Sequence, residues 1–254
     1  MEKILKTEVK QGHLAIWWIG QGGFVFKTSG RRIVMVDPYL SFSMQGMTYI
    51  HPELAFRPES VRADFVLCSH DHMDHTDEPT LTAIARSDEA TTFYGPPLST
   101  KRMTAFGIAP ERITRIERGD VLSLDDTISV EAVYAHHTPD SCGFIFDFEG
   151  IEVYYTGDTE VGLHGYLEQM ERVKALRPDI LIICINPGYK NLGPTEAAEL
   201  TGWVDPKVVI PMHYDLIEEN TVDPREFVNA LTAGGVKARP VLMEYGGGYL
   251  FTGE

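Results

Sequence analysis

The chain has 254 residues, of which 43% are hydrophobic and 23% are charged, a balance typical of a globular rather than a disordered protein. Its formal net charge is −15, which argues against nucleic acid or an anionic membrane surface as its partner. The charged N-terminus and the lack of a long apolar run predict neither a signal peptide nor a membrane span. Three scattered cysteines fit a reducing compartment, so we expect a single cytoplasmic domain over residues 1–254.

The predicted elements, taken in chain order, are mostly strands. Apolar runs predict strands over residues 14–19, 24–28, 31–36, 64–68, 91–94, 113–116, 128–135, 143–148, 151–156, 180–185 and 208–212, with turns at 20–23 and 149–150. Helical spacing predicts helices over residues 77–86, 100–106, 165–176, 197–203 and 224–233, with Thr195 and Asp223 as N-caps of the last two. Residues 39–60 show no repeating pattern, and a loop of this length is usually functional or mobile.

The strands outnumber the helices and arrive in two groups, each followed by helices. This order predicts an α/β fold of four layers, an αβ/βα sandwich in which two sheets face each other and helices cover the outside. A single doubly wound sheet is the second choice, because it would alternate strands and helices more closely.

Six of the nine histidines fall in three places, and each place follows the end of a predicted strand. These are His70, His72 and His75, then His136 and His137, and finally His213. Strand ends of this kind gather the active sites of α/β folds. His70 and His72 share a face because they are two residues apart, whereas Asp74 and His75 follow after the chain begins to turn. Since imidazoles and carboxylates bind divalent metals, the pattern predicts two adjacent ions; the alternative is a solvated, charged loop.

The segment Ser69-His70-Asp71-His72-Met73-Asp74-His75 resembles the H-x-H-x-D-H motif of the metallo-β-lactamase superfamily. Four further elements of that superfamily stand in the expected order, at Asp37, at residues 135–138, at residues 155–159 and at residues 210–214. The resemblance implies the metallo-β-lactamase type of four-layer sandwich and a binuclear metal site.

The chain also resembles the L-ascorbate-6-phosphate lactonase family of that superfamily. The similar stretches are residues 17–20, 108–112, 207–213, 223–224 and 246–249. The chain lacks that family's insertion after the third-ligand region and its C-terminal extension, both of which can shape a substrate pocket. The resemblance therefore supports the fold and the metal site more strongly than it supports a lactone as the substrate.

The resemblance implies a role for each candidate residue. His70, His72 and His137 would hold the first ion, Asp74, His75 and His213 the second, and Asp158 would bridge the two. His136 and His137 cannot both bind one ion, since neighbours on a strand face opposite ways, and the superfamily pattern favours His137. Asp37 would orient the ligands from behind, and the catalytic residues would be Asp74, His75 and Asp158.

These roles predict a metal-dependent hydrolase, a lactonase or esterase in which metal-bound hydroxide attacks a carbonyl centre. The donor set accepts two divalent ions per chain, with zinc and manganese as the main candidates and iron also compatible. The expected partner is a small molecule, with Lys190 as a candidate to bind an anionic group and Tyr214 to assist the leaving oxygen. The alternatives are a phosphodiesterase or nuclease, which the net charge disfavours, and a diiron oxygen-chemistry or binding protein. The sequence leaves the oligomeric state open, a homo-oligomer included.

Overall fold

The computed structural model describes residues 1–253, which form fourteen strands and six α-helices. The strands are β1 Leu14–Trp18, β2 Phe24–Lys27, β3 Ile33–Val36, β4 Phe65–Leu67, β5 Thr92–Gly95, β6 Ile113–Arg115, β7 Val121–Ser123, β8 Ile128–Tyr134, β9 Cys142–Phe148, β10 Ile151–Tyr155, β11 Ile180–Cys184, β12 Val208–Met212, β13 Arg239–Pro240 and β14 Gly248–Phe251. The helices are α1 Glu2–Lys6, α2 Glu78–Ser87, α3 Pro97–Ala105, α4 Glu171–Leu176, α5 Pro194–Val204 and α6 Pro224–Ala233.

The strands form two seven-stranded mixed sheets. The first sheet has the order β14-β1-β2-β3-β4-β5-β6, and the second has the order β13-β12-β11-β10-β9-β8-β7. In the first sheet β14 to β3 pair antiparallel and β3 to β6 pair parallel. The second sheet is antiparallel from β7 to β10 and parallel from β10 to β13. The predicted four-layer αβ/βα sandwich is confirmed.

The two sheets pack through aromatic side chains that point inward from both. Phe26 on β2 lies 5.1 Å from Phe148 and 6.0 Å from Phe146, measured between ring centroids, and all three are fully buried. Alternate residues of the same strand face the other way, as the period of two requires. On that outer face Val25 belongs to a second apolar cluster with Leu81 of α2. The first sheet is therefore buried on both faces, while α5 packs against β11 of the second.

Local chemistry explains where several elements start and turn. Glu149 and Gly150 have φ values of 55° and 88° and join β9 to β10, so the turn predicted there is confirmed. Asp223 accepts a hydrogen bond from the backbone N–H of Arg225 and caps α6, as predicted. The prediction for Thr195 is wrong: α5 begins earlier, because Pro194 occupies its first turn and Gly193 is the capping residue.

Some elements differ from the sequence prediction. Residues 165–176 do not form one helix, since two short 3₁₀ turns precede α4. The short elements α1, β7, β13 and β14 lie in segments for which no element was predicted. The segment at 39–60 is irregular except for a 3₁₀ turn at Pro58–Ser60, and Tyr49 forms a bridge with Ile217. Among residues 1–253, no helix combines the length and the apolar character that crossing a membrane requires.

The packing between the sheets predicts a large stability loss for Phe26→Ala. Removing this ring leaves a cavity between two sheets that cannot collapse, so we expect the free energy of unfolding to fall by about 3–5 kcal/mol. Chemical denaturation with both fluorescence and circular dichroism would measure the change. Leu250→Ala removes a half-exposed side chain from β14 and should stay within about 0.5 kcal/mol of the parent. A loss below about 1 kcal/mol for Phe26→Ala would contradict this packing.

Candidate metal centre

The histidines predicted at strand ends meet at one edge of the sandwich. His70 follows β4, His137 follows β8, Asp158 follows β10 and His213 follows β12 directly. His70 and His213 are fully buried, and Asp158 is 6% exposed. The structure thus places donor atoms from both sheets in one space, although they come from four distant parts of the chain.

A first group of nitrogen donors comes from His70, His72 and His137. Nε2 of His70 lies 3.1 Å from Nδ1 of His72, which in turn lies 3.0 Å from Nε2 of His137. The three donor atoms all lie within 4.8 Å of one another. His72 is the exposed member, so the group opens toward solvent on that side.

A second group consists of Asp74, His75 and His213, and all three are buried. Nε2 of His75 lies 3.2 Å from Nε2 of His213 and 3.8 Å from Oδ2 of Asp74. The backbone of His213 has φ of 63°, a left-handed conformation that costs a non-glycine residue about 1–3 kcal/mol. Strain of this kind persists where the surrounding structure holds a side chain in a functional position.

Asp158 lies between the two groups. Its Oδ1 is 2.9 Å from Nε2 of His213, and its Oδ2 is 3.8 Å from Nε2 of His137. Each carboxylate oxygen therefore faces a different group. Oδ1 is buried, and apart from its close approach to the His213 ring it has no hydrogen-bond partner within the described residues.

The donor set fits metal ions better than it fits hydrogen bonds. Imidazole nitrogens 3.0–3.2 Å apart can share only one proton for each pair, and a cluster of such pairs leaves lone pairs facing one another. Nitrogen donors around a tetrahedral ion, each about 2.0–2.1 Å from it, lie roughly 3.3–3.4 Å apart. The observed separations are close to this value, so the residues present fit two adjacent ion sites.

Asp37 lies behind the donors and takes no direct part in either group. Its carboxylate accepts hydrogen bonds from the backbone N–H and hydroxyl of Ser69, from Nδ1 of His75 at 2.6 Å and from the hydroxyl of Tyr155 at 2.6 Å. Both oxygens are therefore occupied. The bond to Nδ1 fixes the orientation of the His75 ring, so that Nε2 is the nitrogen that faces His213 and Asp74.

The pKa values of His70 and His75 are shifted in opposite directions. Burial holds the pKa of His70 well below its ordinary value, with the neighbouring His75 ring adding to the effect, so His70 is neutral. Burial alone would lower the pKa of His75 too, but the carboxylates of Asp158, Asp37 and Asp74 outweigh it and raise that pKa well above its ordinary value. Three carboxylates thus surround this ring, an excess of negative charge that a bound cation would offset.

The pKa of Asp158 is held well below its ordinary value. Burial would raise it, but the rings of His213 and His75 outweigh burial. Asp158 is therefore ionised, which is the form in which a carboxylate binds a metal ion.

Gln21 belongs to the site, and the sequence analysis missed it. Its fully buried Nε2 lies 3.2 Å from Oδ2 of Asp74 and 3.1 Å from Nδ1 of His213, so one amide orients two members of the second group. The glycines around it, at residues 20, 22 and 23, indicate only a turn. Gly22 explains why the turn approaches so closely, since a Cβ there would lie 2.6 Å from the Tyr155 hydroxyl and 2.9 Å from the His75 ring.

Arg118 holds the loop that carries His137. Its guanidinium donates hydrogen bonds to the backbone carbonyls of Ser141 at 2.8 Å and Ala135 at 3.0 Å, and it lies over the Tyr134 ring. One side chain thus fixes both ends of the loop. Nothing in the local sequence pointed to this role, because the contacts are to backbone atoms.

The adjacent histidines point in opposite directions. The ring of His137 joins the first group, whereas the ring of His136 stacks on Tyr166 at 4.3 Å and its Nδ1 lies 2.7 Å from the hydroxyl of Tyr134. This follows from the alternation of side chains along an extended chain. The structure therefore brings His137, and not His136, to the other donors.

A cavity of about 330 Å³ opens over the donors, and four of them line it: His72, Asp74, His137 and Asp158. Lys190 is exposed and does not line it, although Tyr189 and Asn191 on either side do. Tyr214 does not line it either, since its ring stacks on Trp18 and its hydroxyl donates to the backbone carbonyl of Met243.

The whole site lies within the part of the chain that matches a known family. Residues 15–213 match the family described as "Beta-lactamase superfamily domain". A protein of Archaeoglobus fulgidus named "UPF0173 metal-dependent hydrolase" is 29% identical over 94% of this chain and 99% of its own length. A protein of Caldivirga maquilingensis with the same name is 28% identical over 90% of this chain and 94% of its own.

Solved structures share the fold at lower identity. The metallo hydrolase Igni18 from Ignicoccus hospitalis superposes with a TM-score of 0.75 at 21% identity, over 94% of this chain and 98% of its own. An isothiocyanate hydrolase from Delia radicum gut bacteria superposes with a TM-score of 0.74 at 17% identity, over 93% and 99%. These likenesses concern the fold. With its two facing sheets and with the family match over most of its length, the chain belongs to the metallo-β-lactamase superfamily.

Proposed function

We propose that this superfamily member is a metal-dependent hydrolase with two divalent ions per chain, acting on a small ester or lactone. His70, His72 and His137 would hold one ion, and Asp74, His75 and His213 the other, with Asp158 shared between them. The observation that carries the proposal is the convergence of these side chains, with imidazole nitrogens 3.0–3.2 Å apart. The carboxylate of Asp158, with Oδ1 facing His213 and Oδ2 facing His137, supports the shared position.

Divalent ions at such a site act as Lewis acids and lower the pKa of water toward neutrality. The protein supplies the positioning. Asp74 lines the cavity, and Gln21 holds its Oδ2, so this carboxylate is placed to orient a water molecule and to accept its proton. Asp37 fixes His75 by a 2.6 Å hydrogen bond, which keeps the second group of donors in one orientation.

The substrate proposal concerns a carbonyl centre rather than a phosphodiester. A phosphodiester carries a negative charge that lysine or arginine side chains commonly bind, and among the described residues that line the cavity there is no lysine or arginine. Zinc, manganese and iron all accept mixed imidazole and carboxylate ligands. Elemental analysis of the purified protein identifies the metal.

Metal content should distinguish the two adjacent histidines. His137→Ala removes a donor from the first group and should lower the metal content by about one ion per chain. His136→Ala removes a ring stacked on Tyr166 and should leave the metal content at the parent value. Elemental analysis of protein purified after expression with added zinc or manganese measures both. The reverse result would mean that the loop carrying these residues has the opposite register in solution.

Removing the metal should destabilise the protein. Ions that bind only the native state stabilise it by mass action, by about 2.7 kcal/mol at a free concentration 100 times Kd. We expect chelation to lower Tm by about 5–10 °C in a chain of this size, and stoichiometric metal to restore it. Differential scanning calorimetry with and without chelator measures the shift. An unchanged Tm, in protein that elemental analysis shows to have lost its metal, would argue against a site coupled to folding.

Hydrolysis itself is tested with a panel of esters, lactones and phosphodiesters. We expect turnover of at least one ester or lactone, and we expect His70→Ala to lower kcat/KM by at least about 100-fold. His164→Ala is the matched control, because that side chain is 83% exposed and does not line the cavity. Turnover of phosphodiesters, without turnover of any ester or lactone, would contradict the proposed reaction and favour a phosphodiesterase.

A further inference from the structure

Apolar side chains line the cavity together with the metal-binding residues. Met44, Met47, Met73 and Ile217 line it together with the ring of Tyr189. Met73 is 46% exposed and Tyr189 is 50% exposed. A patch of exposed apolar side chains beside a polar site commonly has a binding role. Methionine side chains are flexible and polarisable, so they adapt to apolar groups of different shape.

We call these five residues, Met44, Met47, Met73, Tyr189 and Ile217, the methionine wall. Hydrogen bonds attach the segment of Met44 and Met47 to the rest of the protein. The backbone N–H of Met44 donates to the hydroxyls of Tyr39 and Tyr49 at 3.0 and 3.1 Å. Thr48 donates to the carboxylate of Glu219, at 3.0 Å from its backbone N–H and 2.8 Å from its hydroxyl. The segment is therefore irregular but held at several points, which keeps Met44 and Met47 in the lining of the cavity.

A chain of amides determines which atom Asn220 presents to the cavity. Nδ2 of Asn191 donates to Oδ2 of Asp158 at 2.8 Å and to Oδ1 of Asn186 at 3.2 Å. Nδ2 of Asn186 donates to Oδ1 of Asn220 at 2.8 Å. These three hydrogen bonds, each from an amide N–H to an oxygen, fix the orientation of all three amides. Nδ2 of Asn220 is left without a hydrogen bond within the described residues, and Asn220 lines the cavity.

We propose that this cavity selects a small uncharged ester or lactone. Its apolar part would pack against the methionine wall, and one of its oxygens would accept a hydrogen bond from Nδ2 of Asn220. This inference rests on the proposed function and adds the substrate class. It differs from an anionic substrate held by Lys190, whose side chain does not line the cavity.

The charges around the cavity support this selection. The carboxylate of Glu160 lines the cavity, and no cationic side chain among the described residues does. An anionic group that reached past the ions would lie against methionines, where its lost hydration would have no replacement. An uncharged group loses little hydration free energy on entering the same space, so the methionine wall favours an uncharged group.

The charge test compares two acetate esters of nearly equal shape. One is 4-(methylsulfonyl)phenyl acetate, which is neutral, and the other is 4-sulfophenyl acetate, in which a negatively charged oxygen replaces the methyl group. We expect kcat/KM of the metal-loaded protein to favour the neutral ester at least about 10-fold after correction for alkaline hydrolysis rates. Met47→Lys places a cation in the wall and should reduce that preference about 10-fold.

Gln45→Lys is the matched control for this charge. Gln45 is exposed on the same segment and does not line the cavity, so the preference should stay at the parent value. Equal reduction by both lysines would show that the effect is general electrostatics and would overturn the assignment of the wall.

Asn220→Asp tests the amide donor. The variant keeps the Oδ1 acceptor that Asn186 needs and removes the N–H donor, so kcat/KM for the neutral ester should fall about 10-fold. A purely structural role would instead lower Tm or metal content, and both are measured on the same sample. Unchanged kcat/KM in a stable, fully metallated variant would overturn the role of Asn220.

Binding of the two matching acetanilides separates this inference from the proposed hydrolysis. N-[4-(methylsulfonyl)phenyl]acetamide and 4-acetamidobenzenesulfonate are titrated into metal-loaded protein by calorimetry. If neither ester is turned over but the neutral amide binds about 10-fold more tightly, the hydrolysis proposal fails while the selection stands. If the esters are hydrolysed without preference for the neutral one, the selection fails while the hydrolase stands. If neither amide binds and neither ester reacts, the selection is overturned as well.

Discussion

The buried carboxylate of Asp37 is the contact on which the metal centre depends. It accepts hydrogen bonds from Ser69 and His75 of the first sheet's loop and from Tyr155 of the second sheet. One carboxylate therefore fixes the loop after β4, the orientation of the His75 ring and the distance between the two sheets at this edge. Its own backbone, with φ of 44°, is in the left-handed region, so the fold accepts a local cost to place it. Charge-assisted hydrogen bonds of this kind are among the stronger ones in proteins, which offsets that cost.

The same edge collects groups that are unfavourable together without a cation. Carboxylates and imidazoles are removed from water there, and some of their polar atoms are left without hydrogen-bond partners among the described residues. A folded chain would not keep such a cluster for stability alone, because apolar residues of similar volume would cost less. The methionine wall beside it adds a second kind of surface, apolar and half exposed. Polar donors that bind ions and an apolar wall that binds a substrate are the two parts a small-molecule hydrolase needs.

Much of the fold and the donor set could be predicted because the signals are local. Apolar runs located most of the strands, and histidines at strand ends such as His70 and His213 indicated where donors meet. The roles of Gln21 and Asn220 could not be predicted, since they depend on contacts between residues distant in the chain. Short edge strands such as β13 and β14 also escaped prediction, because two to four residues carry too little pattern and sheet pairing decides them.

The amide chain from Asp158 to Asn220 has a consequence for communication within the site. Hydrogen bonds in series polarise one another, so a stronger donor at one amide strengthens the next one along the chain. Asn191 divides its two N–H groups between the Asp158 carboxylate and Asn186. A cation that withdrew electron density from Asp158 would weaken the pull of that carboxylate and strengthen the other N–H. The free N–H of Asn220 would then become a better donor. The strength of this donor in the cavity would therefore depend on whether the ions are bound.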